Sequence, residues 1–356
     1  MSDEFGVTHG FDVYLKLWQC WPTLPAPPPP NWRLRAAVVK RLNRLYSRYV
    51  FSWRNRARHV TRHIRRLLAR APEPFFLYAI YWDMHLPYYP RRQDAERWLP
   101  AGMTYRQAQR VNRNHLRYLT GQVAMDEEDF AVLRALYDGA LAAVDAEIGA
   151  LVAWLRRQGL LERTLLIITS DHGENLGDHG LMSHAYSLHD TLIRVPLLIR
   201  YPPCFPAGTR FPAQVQLTDL FPTVLDVVGL DVPHVRQALQ GLSLLEADAA
   251  AWAARPAYAE MLAPHPSIRA LNRRAGLPED TPRPEFDRAL RCVRLPDVKL
   301  VWASDGRHAL YDLRQDPHET QNRFHQEPEL AAALLDLLAR WQPTTPRFPR
   351  ANPARS

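Results

Sequence analysis

The feature that most constrains the fold is a short apolar strand that ends directly in metal-type ligands. Residues 165–169 read LLIIT, which is too short for a helix, rich in β-branched side chains and bounded by polar residues. This pattern predicts a central parallel strand. Asp171 and His172 follow at once, and Gly173 permits a sharp exit. Because open α/β sheets bind ligands beyond the carboxyl ends of their strands, the stretch predicts a divalent-cation site at a sheet edge.

More ligand-type side chains follow this strand. His179 and His184 come within the next twelve residues after His172, and Glu174 and Asp178 lie among them. An isolated Asp-His pair is also explained by a capping aspartate beside a solvated histidine. So dense a group of carboxylates and imidazoles favours a metal site instead.

Several short motifs follow one another along the chain in a fixed order. The ordered segments are 74–77 (PFFL), 83–88 (DMHLPY), 137–138 (YD), 144–149 (VDAEIG), 170–174 (SDHGE), 194–197 (RVPL), 217–226 (LTDLFPTVLD), 310–313 (LYDL), 316–317 (DP) and Asn322. Each motif alone is weak. Together, over roughly residues 74–322, they resemble the sulfatase family of the alkaline phosphatase superfamily.

The resemblance implies roles for particular residues. Asp171 and His172 look like the two downstream metal ligands. His85 resembles the histidine that contacts the sulfate or the leaving-group oxygen, and His184 resembles the Lys or His that does so from the opposite side. The expected ion is Ca²⁺, with Mn²⁺ or Zn²⁺ as alternatives because an imidazole is a softer ligand. The secondary candidates are Asp83 and His179.

The chain also departs from the family pattern. Sulfatases begin with a strand that carries acidic metal ligands, followed by C-x-P-S-R, whose cysteine becomes the formylglycine nucleophile, and neither occurs here. The segment 10–12 (GFD) resembles a part of the family that follows the nucleophile, so we expect the fold to be incomplete at the N-terminus. Cys20 begins a similar motif, but Leu24 replaces the arginine that would neutralise the sulfate charge. We therefore expect no nucleophile in this chain.

Three functions remain open. The first is metal-dependent hydrolysis of sulfate esters, with a small-molecule, saccharide or aryl sulfate as substrate, in a truncated or inactive form as given. The second is a phosphoester or phosphonate hydrolase, or a phospho-group transferase, of the same superfamily. The third is a degenerate, non-catalytic relative that binds polyanions through an arginine-rich segment. The identity of the missing nucleophile separates the first two functions.

The arginine-rich segment spans residues 33–70. It contains 12 arginines and Lys40 but no Asp or Glu, although the net charge of the whole chain is only +8. Apolar residues recur in it at helical spacing, which predicts two basic amphipathic helices. A solvated face is the simpler interpretation. The alternative is attraction of an anionic substrate, a nucleic acid or phospholipid headgroups, and no nucleic-acid-binding signature supports a specific partner.

The order of elements predicts an α/β fold with a mostly parallel central sheet covered on both faces, and the resemblance implies that this is an alkaline-phosphatase-like α/β/α sandwich. A small C-terminal α+β subdomain with antiparallel strands follows. The predicted helices include 127–158 and 327–341, and the predicted strands are 75–81, 165–169, 196–200, 292–295, 299–303 and 308–311. The predicted domains are 1–32, an extended Pro-rich lead-in; 33–245, the sulfatase-like domain; 246–342, the subdomain; and 343–356, a disordered tail.

Composition agrees with a globular enzyme. The 356 residues are 47% hydrophobic, enough for a sizeable core. No apolar stretch approaches the roughly 18 residues that a membrane span needs, and no signal peptide is present, which predicts a cytoplasmic location for the chain as written. Three widely spaced cysteines give no disulfide framework. The sequence makes no prediction of the oligomeric state.

Overall fold

A computed structural model describes residues 57–211, 213–246, 252 and 255–341. Among these residues, no helix has both the length and the apolar character needed to cross a bilayer. The predicted lead-in, the first basic helix and the predicted tail lie outside the described residues. The domain boundaries stay predictions.

The described chain divides into two compact units, and its elements are numbered here in chain order. Unit 1 contains residues 57–114 and 125–161, and unit 2 contains 115–124 and the described residues from 162 onward. The α-helices are α1 (Ala57–Leu68), α2 (Arg92–Ala95), α3 (Tyr105–Ala108), α4 (His115–Leu119), α5 (Glu127–Arg157), α6 (Asp190–Ile193), α7 (Leu220–Val227), α8 (Pro233–Arg236), α9 (Ile268–Ala275) and α10 (Pro328–Trp341). The strands are β1 (Leu166–Thr169), β2 (Asn175–Leu176), β3 (Met182–Ser183), β4 (Leu197–Arg200), β5 (Ala257–Met261), β6 (Leu290–Arg294), β7 (Val298–Ala303) and β8 (Ala309–Asp312), and the 3₁₀ turns are Leu161–Arg163, Asp178–Gly180 and Leu217–Asp219.

Unit 1 is built on the pairing of α1 with α5. Val60, Ile64 and Leu68 recur at helical spacing on α1 and pack against Leu151 and Leu155 of α5. A capping box between Asp126 and Asp129 begins α5, because each side chain accepts from the other residue's backbone N–H. The predictions of a basic amphipathic helix here and of a long helix from residue 127 are confirmed.

Residues 75–81 form no strand within the described structure, so this predicted strand is wrong there. Phe75, Leu77, Ala79 and Tyr81 pack on the cluster between α1 and α5. Phe76 and Tyr78, which alternate with the first three of them, are 70% and 61% exposed. Packing on two helices therefore produces the same alternation of buried and exposed side chains that sheet pairing produces.

Unit 2 contains the predicted strand before the ligand cluster. This strand, β1, pairs with β4, with Leu166 opposite Arg200 and Thr169 opposite Leu197, and the pairing is antiparallel. The prediction that β1 is a parallel strand is therefore wrong for its pairing with β4. A parallel pair requires a crossover connection, usually a helix of several turns, whereas β1 and β4 are joined by a small hairpin and the four-residue α6.

The C-terminal part of unit 2 is a four-stranded antiparallel sheet in the order β5-β6-β7-β8. Helix α10 covers one face of it, and Leu334 and Leu338 pack with Val293, Leu300 and Leu310. The three predicted strands and the final helix are confirmed. The sequence analysis missed β5, which pairs with β6 at the edge of the sheet.

Candidate functional site

The turn after β1 holds Asp171 and His172 by backbone contacts. The Ser170 hydroxyl donates to the His172 carbonyl at 2.7 Å, and the His172 backbone N–H donates to Asp171 Oδ1 at 3.1 Å. The backbone N–H of Gly173 donates to the Leu192 carbonyl at 2.7 Å. A Cβ at position 173 would lie 2.0 Å from the Thr191 carbonyl oxygen. Position 173 therefore needs glycine because two backbone segments approach closely there.

The His172 ring is oriented as a metal ligand requires. Its Nδ1 lies 2.8 Å from the Gly173 carbonyl. Because a carbonyl can only accept, Nδ1 carries the proton of the neutral ring and Nε2 offers its lone pair. Nε2 lies 3.8 Å from Asp171 Oδ1, and the Asp171 side chain is 85% exposed. Two ligand bonds of about 2.0–2.6 Å span such a separation, so the two residues fit one part of a divalent-ion site.

His184 joins this cluster from the following hairpin. Its ring stacks on the His172 ring with 4.2 Å between centroids. Nδ1 of His184 lies 3.2 Å from Oε1 of Glu174, whose side chain is only 5% exposed. A buried carboxylate thus fixes the orientation of His184. The structure brings together three of the predicted site residues and adds Glu174 as their partner.

His85 and Asp83 lie in unit 1, where they line one cavity together with Arg58 and Arg91. The His85 ring lies 5.0 Å from the Trp82 ring between centroids, and its Nδ1 lies 2.7 Å from the Leu86 carbonyl. Asp83 Oδ1 accepts from the backbone N–H of Ala57, the first residue of α1. His85 belongs to unit 1 and Asp171 to unit 2, and the role that the family motif implies for His85 stays a prediction.

His179 belongs to a second cluster. Its ring stacks on that of His189 with 3.5 Å between centroids and 10° between planes. Metal-type ligand atoms of His179, His189 and Glu319 all lie within 4.8 Å of one another. Burial lowers the pKa of His179, and the neighbouring His189 lowers it further. The sequence analysis missed His189 and Glu319, because no local pattern connects residues so far apart in the chain.

A buried ion-pair network supports this second cluster. Lys299 is completely buried, and its Nζ lies 2.7 Å from Glu319 Oε1 and 3.0 Å from Asp190 Oδ1. Arg294 pairs with the other carboxylate oxygen of Asp190 at 2.9 Å. Burial alone would raise the pKa of both carboxyls. The surrounding cations and hydrogen bonds outweigh burial, so the pKa of Asp190 and that of Glu319 are both lowered.

The Cys292 thiol is not an activated nucleophile. Cys204 and Cys292 are both unpaired. Burial raises the pKa of Cys292 to about 11, so this thiol is protonated at neutral pH and unreactive. Cys20 lies outside the described residues, and its assessment stays that of the sequence.

Comparison with known proteins identifies the family of this chain. Residues 2–230 match the family model described as Sulfatase, and the chain belongs to the sulfatase family of the alkaline phosphatase superfamily. It is 31% identical over 211 residues to arylsulfatase K of Bos taurus and 30% identical over 224 residues to the N-acetylglucosamine-6-O-sulfatase of Bacteroides thetaiotaomicron. These matches cover 58% and 61% of this chain, but the chain spans only 36% of the length of either relative.

The structural comparison agrees on the fold. The solved structure of Ps i-CgsB in complex with k-i-k-neocarrahexaose is similar with a TM-score of 0.55 and 20% identity, over 82% of this chain and 54% of that one. The chain therefore has the alkaline-phosphatase-like α/β fold of the sulfatases. Members of this family are generally metal-dependent.

Proposed function

We propose that this chain carries part of the active site of a sulfate-ester hydrolase. The observation that carries the proposal is the cluster beyond β1, in which His172 Nε2 faces the Asp171 carboxylate and His184 stacks on the His172 ring. Its support is that the motifs supplying these residues are those of the family whose model matches the chain. A saccharide or aryl sulfate ester is the proposed substrate.

Asp171 and His172 would hold the metal ion. A divalent ion bound there would supply Lewis-acid polarisation of a sulfate oxygen. Calcium suits the carboxylate, and the imidazole also accommodates manganese or zinc. His172 keeps its lone pair on Nε2 because its Nδ1 is committed to the Gly173 carbonyl.

His184 would act on the oxygen that leaves, which is the role that the family motif implies for it. The Glu174 carboxylate accepts from His184 Nδ1–H, and Nε2 is the nitrogen that would meet the leaving oxygen. In the neutral His85 ring, Nδ1–H donates to the Leu86 carbonyl, so Nε2 is the nitrogen that would meet substrate. Asp83, bonded to the start of α1, would hold the loop that carries His85.

The nucleophile is the missing part. C-x-P-S-R does not occur in the 356 residues, and Cys292 is buried and protonated. We therefore propose that these residues alone give no turnover. Without a nucleophile, an active site loses many orders of magnitude in rate, even when its binding groups remain.

The test is an assay of an aryl sulfate, an aryl phosphate and a phosphonate monoester with Ca²⁺, Mn²⁺ or Zn²⁺. The proteins are this chain and a version extended by its upstream reading frame, each with Asp171→Ala and, as a matched control, the exposed Asp280→Ala. We expect the extended protein alone to hydrolyse the sulfate, with a loss of at least about 10-fold in Asp171→Ala and none in Asp280→Ala.

Two outcomes would contradict this proposal. A preference for the phosphorus esters would favour the phosphoester or phosphonate hydrolase. Metal-dependent turnover by the 356-residue chain that is lost in Asp171→Ala would show that the nucleophile lies within it. Cys20 would then be the first residue to replace.

A second candidate function, polyanion binding, is favoured by the surface of α1. Four of its arginines line one cavity of unit 1 together with Glu147. The four positive charges outnumber the single negative charge of Glu147, so this surface would attract an anionic polymer. The arginines are Arg58, Arg62, Arg65 and Arg66.

A further inference from the structure

Two imidazoles and a carboxylate meet in unit 2, apart from the Asp171 cluster. His179 lies in the turn between β2 and β3, His189 directly precedes α6, and Glu319 lies in the loop after β8. Their ligand atoms lie within 4.8 Å of one another. Two zinc bonds of about 2.0–2.2 Å span at most about 4.4 Å. A closure of a few tenths of an ångström would therefore let all three bind one ion.

The backbone places His179 in an uncommon conformation. Its φ is +54°, in the left-handed region that non-glycine residues rarely adopt. Gly177 and Gly180, on either side of it, also have positive φ values of 105° and 67°. This turn directs the His179 ring onto the His189 ring, parallel within 10°. Conformations of this kind persist where the surrounding structure determines them and are common at functional sites.

The carboxylate of the cluster is held before any ion arrives. Glu319 Oε1 pairs with Lys299, whereas Oε2 accepts the backbone N–H of Asp190 at 2.6 Å and lies 3.4 Å from His189 Nδ1. Oε2 is therefore the oxygen available to an ion beside the histidines. Such fixed partners orient ligands and raise metal affinity.

The three side chains of the cluster differ in burial, and the most exposed of them leaves a path by which an ion could enter. The side chains of Glu319 and His189 are 1% and 18% exposed, and His179 lies at the surface. An ion would enter past His179 and keep a water as its fourth ligand. Two imidazoles and one carboxylate oxygen suit Zn²⁺ and its first-row neighbours better than Ca²⁺, which prefers six to eight oxygens.

We propose that His179, His189 and Glu319 form a zinc-type site distinct from the Asp171–His172 site. The bound ion would connect the β2–β3 turn to the loop after β8. Because His184 follows β3 directly, the ion would also steady the hairpin that carries His184. This inference stands without the proposed hydrolase activity, since it concerns residues outside that site.

The test is metal binding by the purified 356-residue chain. Zn²⁺ affinity is measured by calorimetry, and Co²⁺ is used as a spectroscopic probe because tetrahedral Co²⁺ gives strong visible bands. We expect one tight equivalent of Zn²⁺, a tetrahedral Co²⁺ spectrum, and at least about a 10-fold loss of Zn²⁺ affinity in His179→Ala and in His189→Ala. His179 is exposed, so its replacement should leave the fold intact.

Two variants serve as controls. His234→Ala removes an exposed histidine outside the cluster and should keep both the affinity and the spectrum. Asp171→Asn with His172→Gln removes the other candidate site and should also keep them. Tight zinc binding with a tetrahedral Co²⁺ spectrum that persists in the double variant His179→Ala, His189→Ala, or that is lost only in the Asp171–His172 variant, would overturn the proposal. Absence of any tight equivalent in the wild-type chain would overturn it as well.

Discussion

The ammonium group of Lys299 lies fully buried between two carboxylates. It pairs with Asp190 before β4 and with Glu319 after β8, so one side chain joins three parts of unit 2. A buried ion pair gives little net stability over an apolar replacement of both partners, but removal of one partner leaves an unpaired buried charge. Two carboxylates would lose their shared cation here.

We predict that Lys299→Met lowers the free energy of unfolding by about 3–5 kcal/mol. Urea denaturation at neutral pH measures it. Arg314→Met, which breaks an exposed pair with Asp297 at 2.8 Å, is the matched control and should cost far less. An equal loss in both variants would contradict the role assigned to burial.

The pH dependence of this difference follows from the carboxyl groups. The pKa values of Asp190 and Glu319 are lowered below their ordinary values of 3.8 and 4.5. Their stabilisation is complete above those ordinary values and is lost as the pH falls through the lowered ones. Protonation also removes the unpaired charge in Lys299→Met. The stability difference between wild type and variant should therefore shrink as the pH falls toward about 4 and below.

Gly173 directly follows the candidate ligand His172, at a point where two backbone segments approach closely. We predict that Gly173→Ala lowers the free energy of unfolding by at least about 1–3 kcal/mol, since its Cβ would meet the Thr191 carbonyl oxygen at 2.0 Å. The control is Gly149→Ala in α5, where a Cβ meets nothing within 4 Å. That change should raise stability by about 0.5–1 kcal/mol. Thermal unfolding of both variants measures the contrast, and a neutral Gly173→Ala would contradict it.

At the scale of elements, the local sequence pattern predicted which helices and strands exist better than it predicted how the strands pair. The periodic apolar residues of α5 and the short apolar runs of β1 and β4 gave these elements nearly their observed bounds. The partner and direction of β1 depend on the geometry of the connection to β4, which the strand itself does not encode. Residues 75–81 alternate because they pack on α1 and α5, so alternation alone could not distinguish this packing from a sheet.

Helix α1 carries the prediction for polyanion binding. We expect Arg62, Arg65 and Arg66 replaced together by Gln to weaken binding to heparin and to reduce its salt dependence, with a stability change within about 0.5 kcal/mol per site. The matched control replaces Arg269, Arg273 and Arg274 of α9, three exposed arginines on another short helix. Heparin chromatography over a range of salt concentrations measures both. Equal effects of the two triple variants would indicate net charge alone, and no effect of the α1 variant would support a solvated face.

At the scale of the whole molecule, the sequence grouped Asp171 with His172 and His184, but it did not connect His179 with His189 or Glu319. Asp171, His172 and His184 lie within one short stretch of sequence, so their proximity could be expected from the chain. Glu174 was visible as a nearby carboxylate, but its contact with His184 depends on the hairpin between them. The meeting of His189 with Glu319 depends on the tertiary packing of the C-terminal sheet, which no local sequence pattern encodes.

The bond between the Asp190 backbone and Glu319 also sets an order of events during synthesis. These residues are 129 positions apart. At about 5–20 residues per second, the ribosome needs about 6–26 s to add the later partner after the earlier one. The segment from β1 to α6 therefore lacks its contacts with Lys299 and Glu319 until β6, β7 and the loop after β8 have emerged. During most of that interval the nascent chain carries the Asp190 carboxylate without Lys299, and the hairpin with His184 should be most exposed to proteases and chaperones then.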